Sequence, residues 1–157
     1  MSNKDRPSIE LRLQPEGVAT RAHELLALQH AAYAIEAELI GDDRIPPLHE
    51  NEADLVAVDL SWLLELEGSR VVGALGYRLE GEGSVVDIDR LIVDPARLRR
   101  GIGARLVRRA LGLASGARVS TGRANAPARS LYERLGFVHE GDIEVIPDLW
   151  VSSYSRG

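Results

Sequence analysis

Cysteine is absent from the chain. That excludes a disulfide framework, a thiolate nucleophile and any thiolate metal site. Long apolar runs are missing too. No stretch approaches the ~20 residues of a membrane-spanning helix, and Met1–Pro7 lacks the apolar core of a secretory signal. A cytoplasmic location, away from any membrane, is the expectation. Lysine is nearly absent: Lys4 is the only one, so the basic residues are almost all arginine. Acidic residues outnumber basic ones, 24 to 19, and the formal net charge of −5 argues against a general nucleic-acid binder. The histidines show no metal-ligand spacing. His23 and His30 share a helix face that nothing else joins, and His49 stands in a loop, so no metal is expected. Repeats, low-complexity tracts and interdomain linkers are lacking as well. A chain of 157 residues with 45% hydrophobic content suits one domain. A tail over residues 1–7 and a single domain over 8–157 are expected.

The patterning that is present alternates strands and helices. Ile9, Leu11 and Leu13 alternate with polar residues as a strand does, and Pro15-Glu16-Gly17 reads as its break. Thr20 is placed to cap a helix running to about Leu39, with Leu25, Leu28, Ala32, Ile35 and Leu39 on one face. Gly41 fits the helix end. The loop that follows, Gly41–Glu50, holds Pro46-Pro47, which argues against helix and sheet alike. Asn51 is a cap for a short helix to about Asp59. Trp62–Glu67 and Arg70–Glu80 read as two strands about a Gly68-Ser69 turn. A second tight turn at Gly81–Ser84 leads into a strand at Val85–Val93. Val119–Gly122, Phe137–Val145 and Leu149–Tyr154 read as later strands.

The chain is organised around Asp94–Leu106. Asp94-Pro95 ends the strand. Then come Arg97, Leu98, Arg99, Arg100, Gly101, Ile102, Gly103 and Ala104, opening a helix with Ile102, Leu106, Ala110 and Leu113 at helical spacing, expected to end near Ser115-Gly116. A glycine turn of this kind aims the free N–H groups of a helix's first turn at one point, where the dipole is positive. Missing side chains let an anion approach the backbone, and the arginines add charge. The turn therefore suits a phosphate group. It lacks the lysine and Ser/Thr of a P-loop, and Leu106 stands where a dinucleotide fingerprint needs its third glycine.

Gly101 and Gly103 instead fit the Arg/Gln-x-x-Gly-x-Gly/Ala loop of a coenzyme A pyrophosphate site, although Leu98 departs from its Arg/Gln position, with arginines on either side; the alternative is an ordinary glycine turn before a helix with a solvated arginine face. Downstream stands Asn125-Ala-Pro-Ala-Arg-Ser-Leu-Tyr132-Glu-Arg-Leu-Gly136-Phe137, which matches a second block, Asn-x-x-Ala-x-x-Leu-Tyr-x-x-x-Gly-Phe. With both blocks the sequence resembles the GNAT superfamily of acyl-CoA-dependent N-acyltransferases from about Ile9 to Tyr154. The resemblance implies an α/β (α+β) fold, with a central mixed, mostly antiparallel sheet of about seven strands, splayed between the fourth and fifth and flanked by about four helices. It implies acetyl-CoA as cosubstrate. The pantetheine arm would pair with backbone at Leu91, Ile92 and Val93, the phosphates would lie on Arg97–Ala104, and Asn125 and Tyr132 would touch the cofactor. The acceptor would be a small-molecule or peptide amine, and homodimerisation is left open.

Direct attack on the thioester needs a neutral amine, yet an alkylamine resembles lysine with a pKa near ~10.4. A base must take its proton. Asp87 and Asp89 lie two apart on the strand and share a face, so one of them, acting through water, is the candidate; the alternative is a charged strand face ion-paired to Arg78 or Arg90. A backbone N–H near Val93 is the candidate oxyanion donor. Tyr132 is the candidate acid for the departing thiolate, at an unperturbed pKa near ~10; the alternative is a core-filling ring. Leu131 and Leu135 define the buried face of that helix, with Tyr132 off it. Asn125 also reads as a helix cap. In the family the segment joining the first two helices borders the acceptor, so the Gly41–Glu50 loop is expected to face it, the alternative being a plain surface connection; Asp42, Asp43 and Glu50 hint at a cationic acceptor. Two functions are weighed: an N-acetyltransferase, and a non-catalytic acyl-CoA-binding module. Asp87, Asp89 and Tyr132 favour the enzyme, since a binding module has no need of them.

Overall fold

The structure, a computed structural model, describes residues 8–157, so the expected tail over 1–7 lies outside it. The chain runs β1 (Ser8–Leu13), α1 (Ala22–Ile40), α2 (Pro46–His49), α3 (Glu52–Ala57), β2 (Ser61–Glu67), β3 (Arg70–Glu80), β4 (Val85–Val93), α4 (Ile102–Leu111), β5 (Gly116–Gly122), α5 (Ala126–Arg134), β6 (Val138–Ile146) and β7 (Leu149–Arg156). One seven-stranded sheet has the order β1-β2-β3-β4-β5-β7-β6. Every pairing is antiparallel except β4–β5, the parallel pair that α4 connects. This is the mixed α+β architecture expected, and its apolar side chains fill both faces. α1 and α3 cover one core, around Leu25, Leu55, Trp62 and Ile92. α4 and α5 cover the other, around Tyr77, Ile88, Leu106 and Phe137.

β4 and β5 pair only from Val85/Gly116 to Ile88/Val119. Beyond that they diverge, and the sheet opens between Asp89–Val93 and Ser120–Gly122. A bulge in β4 marks the same place: Gly76 faces Arg90 and Tyr77 faces Ile88, leaving Asp89 as the extra residue. A bulge of this kind reverses the facing of everything after it. Val86 and Ile88 therefore point to the α4/α5 core, whereas Ile92 points to the α1 core. Asp87, Asp89 and Arg90 stay on the α1 side, where Arg78 answers both aspartates.

Local structure departs from expectation in five places. Pro15-Glu16-Gly17 does end β1, but as the start of a 3₁₀ turn over Pro15–Arg21 that leads into α1, and Thr20 does not cap that helix; its hydroxyl donates to Gly17 O at 2.6 Å. The buried stripe of α1 runs through Ala22, Leu25, Leu28, Gln29 and Tyr33, and Leu39 is exposed. Pro46-Pro47 opens the one-turn α2 instead of forbidding helix, because a proline at either of the first two positions forfeits no intrahelical bond. α4 stops at Gly112, whose N–H bonds back to Arg108 O and Arg109 O, before the expected Ser115-Gly116. On α5 it is Tyr132 that is buried, with Leu131 and Leu135 only partly covered.

Candidate active site

The turn from β4 to α4 is built by its own side chains. Asp94 is buried; its N–H donates to Val72 O and its Oδ1 accepts from Ala96 N, both at 2.9 Å. Arg97 turns inward, donating to Glu67 at 3.0 Å and to Asp94 at 2.7 Å. It thus braces the turn and is not free to face a phosphate. Leu98 is exposed, and Arg99 and Arg100 are exposed with no ion pair among the described residues. Gly101 caps α4 at φ 78° and supplies no side-chain acceptor for the first N–H groups, so those donors are left to a ligand or water. The Ile102 side chain is buried against β3. There Gly73 leaves the room: a Cβ on it would stand 2.5 Å from Ile102 Cγ2 and 3.0 Å from Leu106 Cδ1. A Cβ at Gly103 would meet Leu131, Leu91 and Val93 at 3.5–3.7 Å. That brings the turn, β4 and α5 together at one point.

Backbone polarity along β4 follows from strand alternation. Asp94 N–H bonds to β3, so Ile92 also faces β3, and the peptide groups of Leu91 and Val93 face the open gap. Of the three β4 positions expected to pair with an extended arm, two present free backbone. Ile92 is committed to the sheet and the α1 core.

The gap widens into a cleft of ≈ 250 Å³ that passes between the two faces of the sheet. Tyr132, Asn125, Leu91 and Asp89 all line it; Asp87 does not. Asp87 sits at the paired end of the strands, with Arg118 Nε at 3.5 Å. Burial, then the Asp89 charge, pushes its carboxyl up. Asp89 is held between Arg78 at 3.3 Å and Arg90 at 2.7 Å, so the ion pairing weighed from sequence is present at the cleft wall. Arg90 is only 7% exposed and also donates to Glu50 at 2.7 Å and Gln29 at 3.1 Å.

Tyr132 is 3% exposed. Its ring packs edge-on against Phe137 with centroids 5.5 Å apart and lies 6.2 Å from Tyr154. It is a core ring and a cleft residue at once, and its hydroxyl makes no hydrogen bond to a described residue. Burial, and secondarily the charge of Glu36, push it well above its ordinary pKa. At neutral pH this hydroxyl is therefore a firmly protonated donor. Asn125 caps α5 through Ala128 N at 3.2 Å and turns its Nδ2 to Glu36 at 3.3 Å.

Tyr33 and Glu36 on α1 line the cleft and escaped the sequence reading. They continue the stripe Leu25, Gln29, Tyr33, Glu36, Ile40, and polar residues on a buried stripe were the available signal. Desolvation raises the Glu36 carboxyl, while Asn125, Gly122 and Thr121 partly hold it down. The loop expected to border an acceptor does reach the cleft, through Arg44, Ile45, Pro46 and Pro47. Asp42 does not line it; its carboxylate grips Arg44, which also donates to Pro147 O at 2.9 Å. The histidines each meet a single acceptor: Glu52, Glu50 O, Asp43 O and Asp142. Among the described residues no His/Asp/Glu group could hold a metal ion, and no helix is long and apolar enough to cross a membrane.

Residues 22–137 match the family model described as "Acetyltransferase (GNAT) family". The UPF0157 protein YqkA of Bacillus subtilis is 33% identical over 139 residues, covering 87% of this chain and 40% of that one. N-acetylaspartate synthetase of Xenopus tropicalis is 34% identical over 102 residues, covering 60% of this chain and 37% of that one. The chain thus spans about two fifths of the length of these curated relatives. Among solved structures, the PaiA N-acetyltransferase of Thermoplasma acidophilum, in complex with coenzyme A, superposes with a TM-score of 0.72. It shares 14% identity with this chain, over 94% of this chain and 98% of that one, which is a likeness of fold.

Proposed function

The chain belongs to the acetyltransferase (GNAT) family, and on that premise we propose that it moves the acetyl group of acetyl-CoA onto a primary amine by direct attack, without an acyl-enzyme. The cosubstrate is acetyl-CoA. Its phosphates would lie on the free N–H groups of Ile102, Gly103 and Ala104, with Arg99 and Arg100 beside them. Its pantetheine arm would pair with the gap-facing backbone of Leu91 and Val93, ending at the cleft. What carries this reading is one convergence: the gap-facing backbone, the unpartnered Tyr132 hydroxyl and the cleft carboxylates meet in the opening between β4 and β5.

The chemistry balances as follows. The amine nitrogen bonds to the acetyl carbon, and the gap-facing Leu91 N–H, at the cleft end of the strand, stabilises the oxygen that becomes charged; Val93, the donor expected from sequence, does not line the cleft and would pair the arm. The carbon–sulfur bond then breaks. An ammonium loses two protons on its way to the amide; one ends on the coenzyme A sulfur and one in solvent. A carboxylate on the cleft wall must accept the first. Asp89 meets that requirement, whereas Asp87 lies outside the cleft. Tyr132, kept protonated by burial, donates a hydrogen bond to the departing sulfur.

The test is thiol release from acetyl-CoA across a panel of amines, followed by mass analysis of the acceptor. Amine-dependent release with an acetamide product supports the proposal. Tight coenzyme A binding with no release for any amine would favour a non-catalytic acyl-CoA-binding module. An acetyl ester or an acetylated protein residue as the product would refute direct transfer to an amine.

A further inference from the structure

The cleft carries four charged side chains: Glu36, Arg44, Asp89 and Arg90. Three of them are matched inside the protein. Arg44 is held by Asp42 at 2.6 Å. Arg90 lies between Glu50 and Asp89, both at 2.7 Å. Asp89 has Arg78 as well, at 3.3 Å. Among the described residues, Glu36 alone of the four has no cation paired with it. Its hydrogen-bonding neighbours are neutral: Asn125 Nδ2 at 3.3 Å, the Gly122 backbone and Thr121. One turn before it stands Tyr33, 8% exposed, whose hydroxyl makes no hydrogen bond to a described residue. Much of the remaining wall is apolar: Ile40, Ile45, Val119, Leu149 and Val151.

A half-buried carboxylate that lacks a counter-charge is poorly solvated and gains from any cation that fits. The same inventory works against a substrate carboxylate. Each arginine of the cleft already answers an aspartate or glutamate, so a second anion would find no unmatched cation and would face Glu36. We propose that Glu36, with Tyr33 beside it, receives the ammonium group of the acceptor, and that the acceptor is a monocationic primary amine with an apolar body. Amino acids and other amines that carry a carboxylate are discriminated against. Aspartate, named in the product of one relative, is among those excluded, so similarity to that relative does not transfer its amine. This rests on the acetyl-transfer reading for its chemistry, but the site is a binding site and is tested as one. Glu36 also lies within electrostatic reach of Tyr132, which sets a bound ammonium beside the sulfur to be expelled.

Calorimetry on the coenzyme A-loaded protein, with phenethylamine and with L-aspartate as probes, decides the matter. Phenethylamine should bind and aspartate should not. Glu36→Gln, which keeps the shape and removes the charge, should weaken phenethylamine binding about 10- to 100-fold, the range for a lost charged hydrogen bond. Coenzyme A affinity and melting temperature should not change. Glu36→Asp should recover part of the loss. In turnover, Glu36→Gln should raise the amine KM and leave the acetyl-CoA KM alone. Equal phenethylamine affinity in parent and Glu36→Gln, stronger binding of aspartate, or no amine binding at all overturns the assignment. Amine binding that depends on Glu36 without any thiol release would sink the acetyl-transfer reading and leave the site standing.

Discussion

Gly73→Ala should loosen the cofactor turn from twenty-eight residues away in the sequence. The added Cβ would lie 2.5 Å from Ile102 Cγ2 and 3.0 Å from Leu106 Cδ1. Carbon atoms rest comfortably at ~3.5–4.0 Å, so the first contact falls short by about 1 Å. Ile102 Cγ2 hangs directly on a branched Cβ and cannot swing clear without leaving its rotamer. The first turn of α4 must therefore retreat from the sheet. Overpacking of this kind costs about 1–3 kcal/mol. The same retreat displaces the N–H groups of Ile102, Gly103 and Ala104 by a distance large against the ~2.7–3.2 Å hydrogen-bond window. Losing even one charged hydrogen bond, at about 1.5–3 kcal/mol, weakens coenzyme A at least roughly 10-fold. Ile102→Ala alone leaves a cavity, at about 2–5 kcal/mol. Combined with Gly73→Ala it also removes the offending methyl, so the double variant should cost less than the sum of the singles. Urea denaturation measures the cycle and calorimetry the affinity. If the two changes add within ~0.5 kcal/mol, or if Gly73→Ala binds coenzyme A like the parent, the packing argument is wrong.

Other perturbations reach the site from different sides. Tyr132→Phe keeps the ring against Phe137 and Tyr154, so melting temperature and coenzyme A affinity should hold while turnover drops about 10²-fold or more; parental turnover on an identified amine would show that the sulfur departs unaided. Arg90→Met strands Glu50 in a part-buried site and should destabilise by about 3–5 kcal/mol, with Glu50→Gln recovering part of it in urea melts; an unchanged midpoint for Arg90→Met refutes a structural ion pair. Asp42 is held down to about 2, first by the hydrogen bonds from the Arg44 side chain. Since its folded value is depressed, the Asp42–Arg44 link is complete above the ordinary 3.8 and is lost as pH falls through about 2. NMR of the carboxyl should show that low midpoint, and Arg44→Ala should return it toward 3.8; a midpoint that ignores the substitution rejects the link.

Much of this fold was legible because local chemistry and tertiary need agreed. The Gly68-Ser69 turn, the Asn51 cap that closes a box with Asp54 and the glycine at the start of α4 each do what their residue types favour anywhere. Legibility failed where a distant partner decides. Arg97 looked like a phosphate ligand because Glu67, which captures it, lies thirty residues back. Asp42 is a local exception: its captor, Arg44, stands only two residues on, and the fold of the loop, not the residue types, decides that the two pair. Tyr33 and Glu36 were passed over because apolar periodicity drew the stripe of α1 through Ile35 and Leu39, whereas the cleft needs polarity on a buried face. The bulge at Asp89 leaves no mark in composition. One surplus residue is visible only against the partner strand.

The four-residue seam between β4 and β5 makes the sheet an unfinished one. β1–β4 form one panel and β5–β7 with β6 another, and past Ile88 and Val119 the panels are joined by no strand pairing. Any extended chain that bonds Leu91 and Val93 becomes, in effect, an eighth strand supplied from outside. Such a guest would act as mortar, stiffening the hinge between panels. The amides of Leu91 and Val93 should then exchange with solvent readily in the empty protein and slow sharply when the gap is filled. On the proposed reading, the reagent would enter where strand pairing stops, and the sheet would be completed only while the reagent is held.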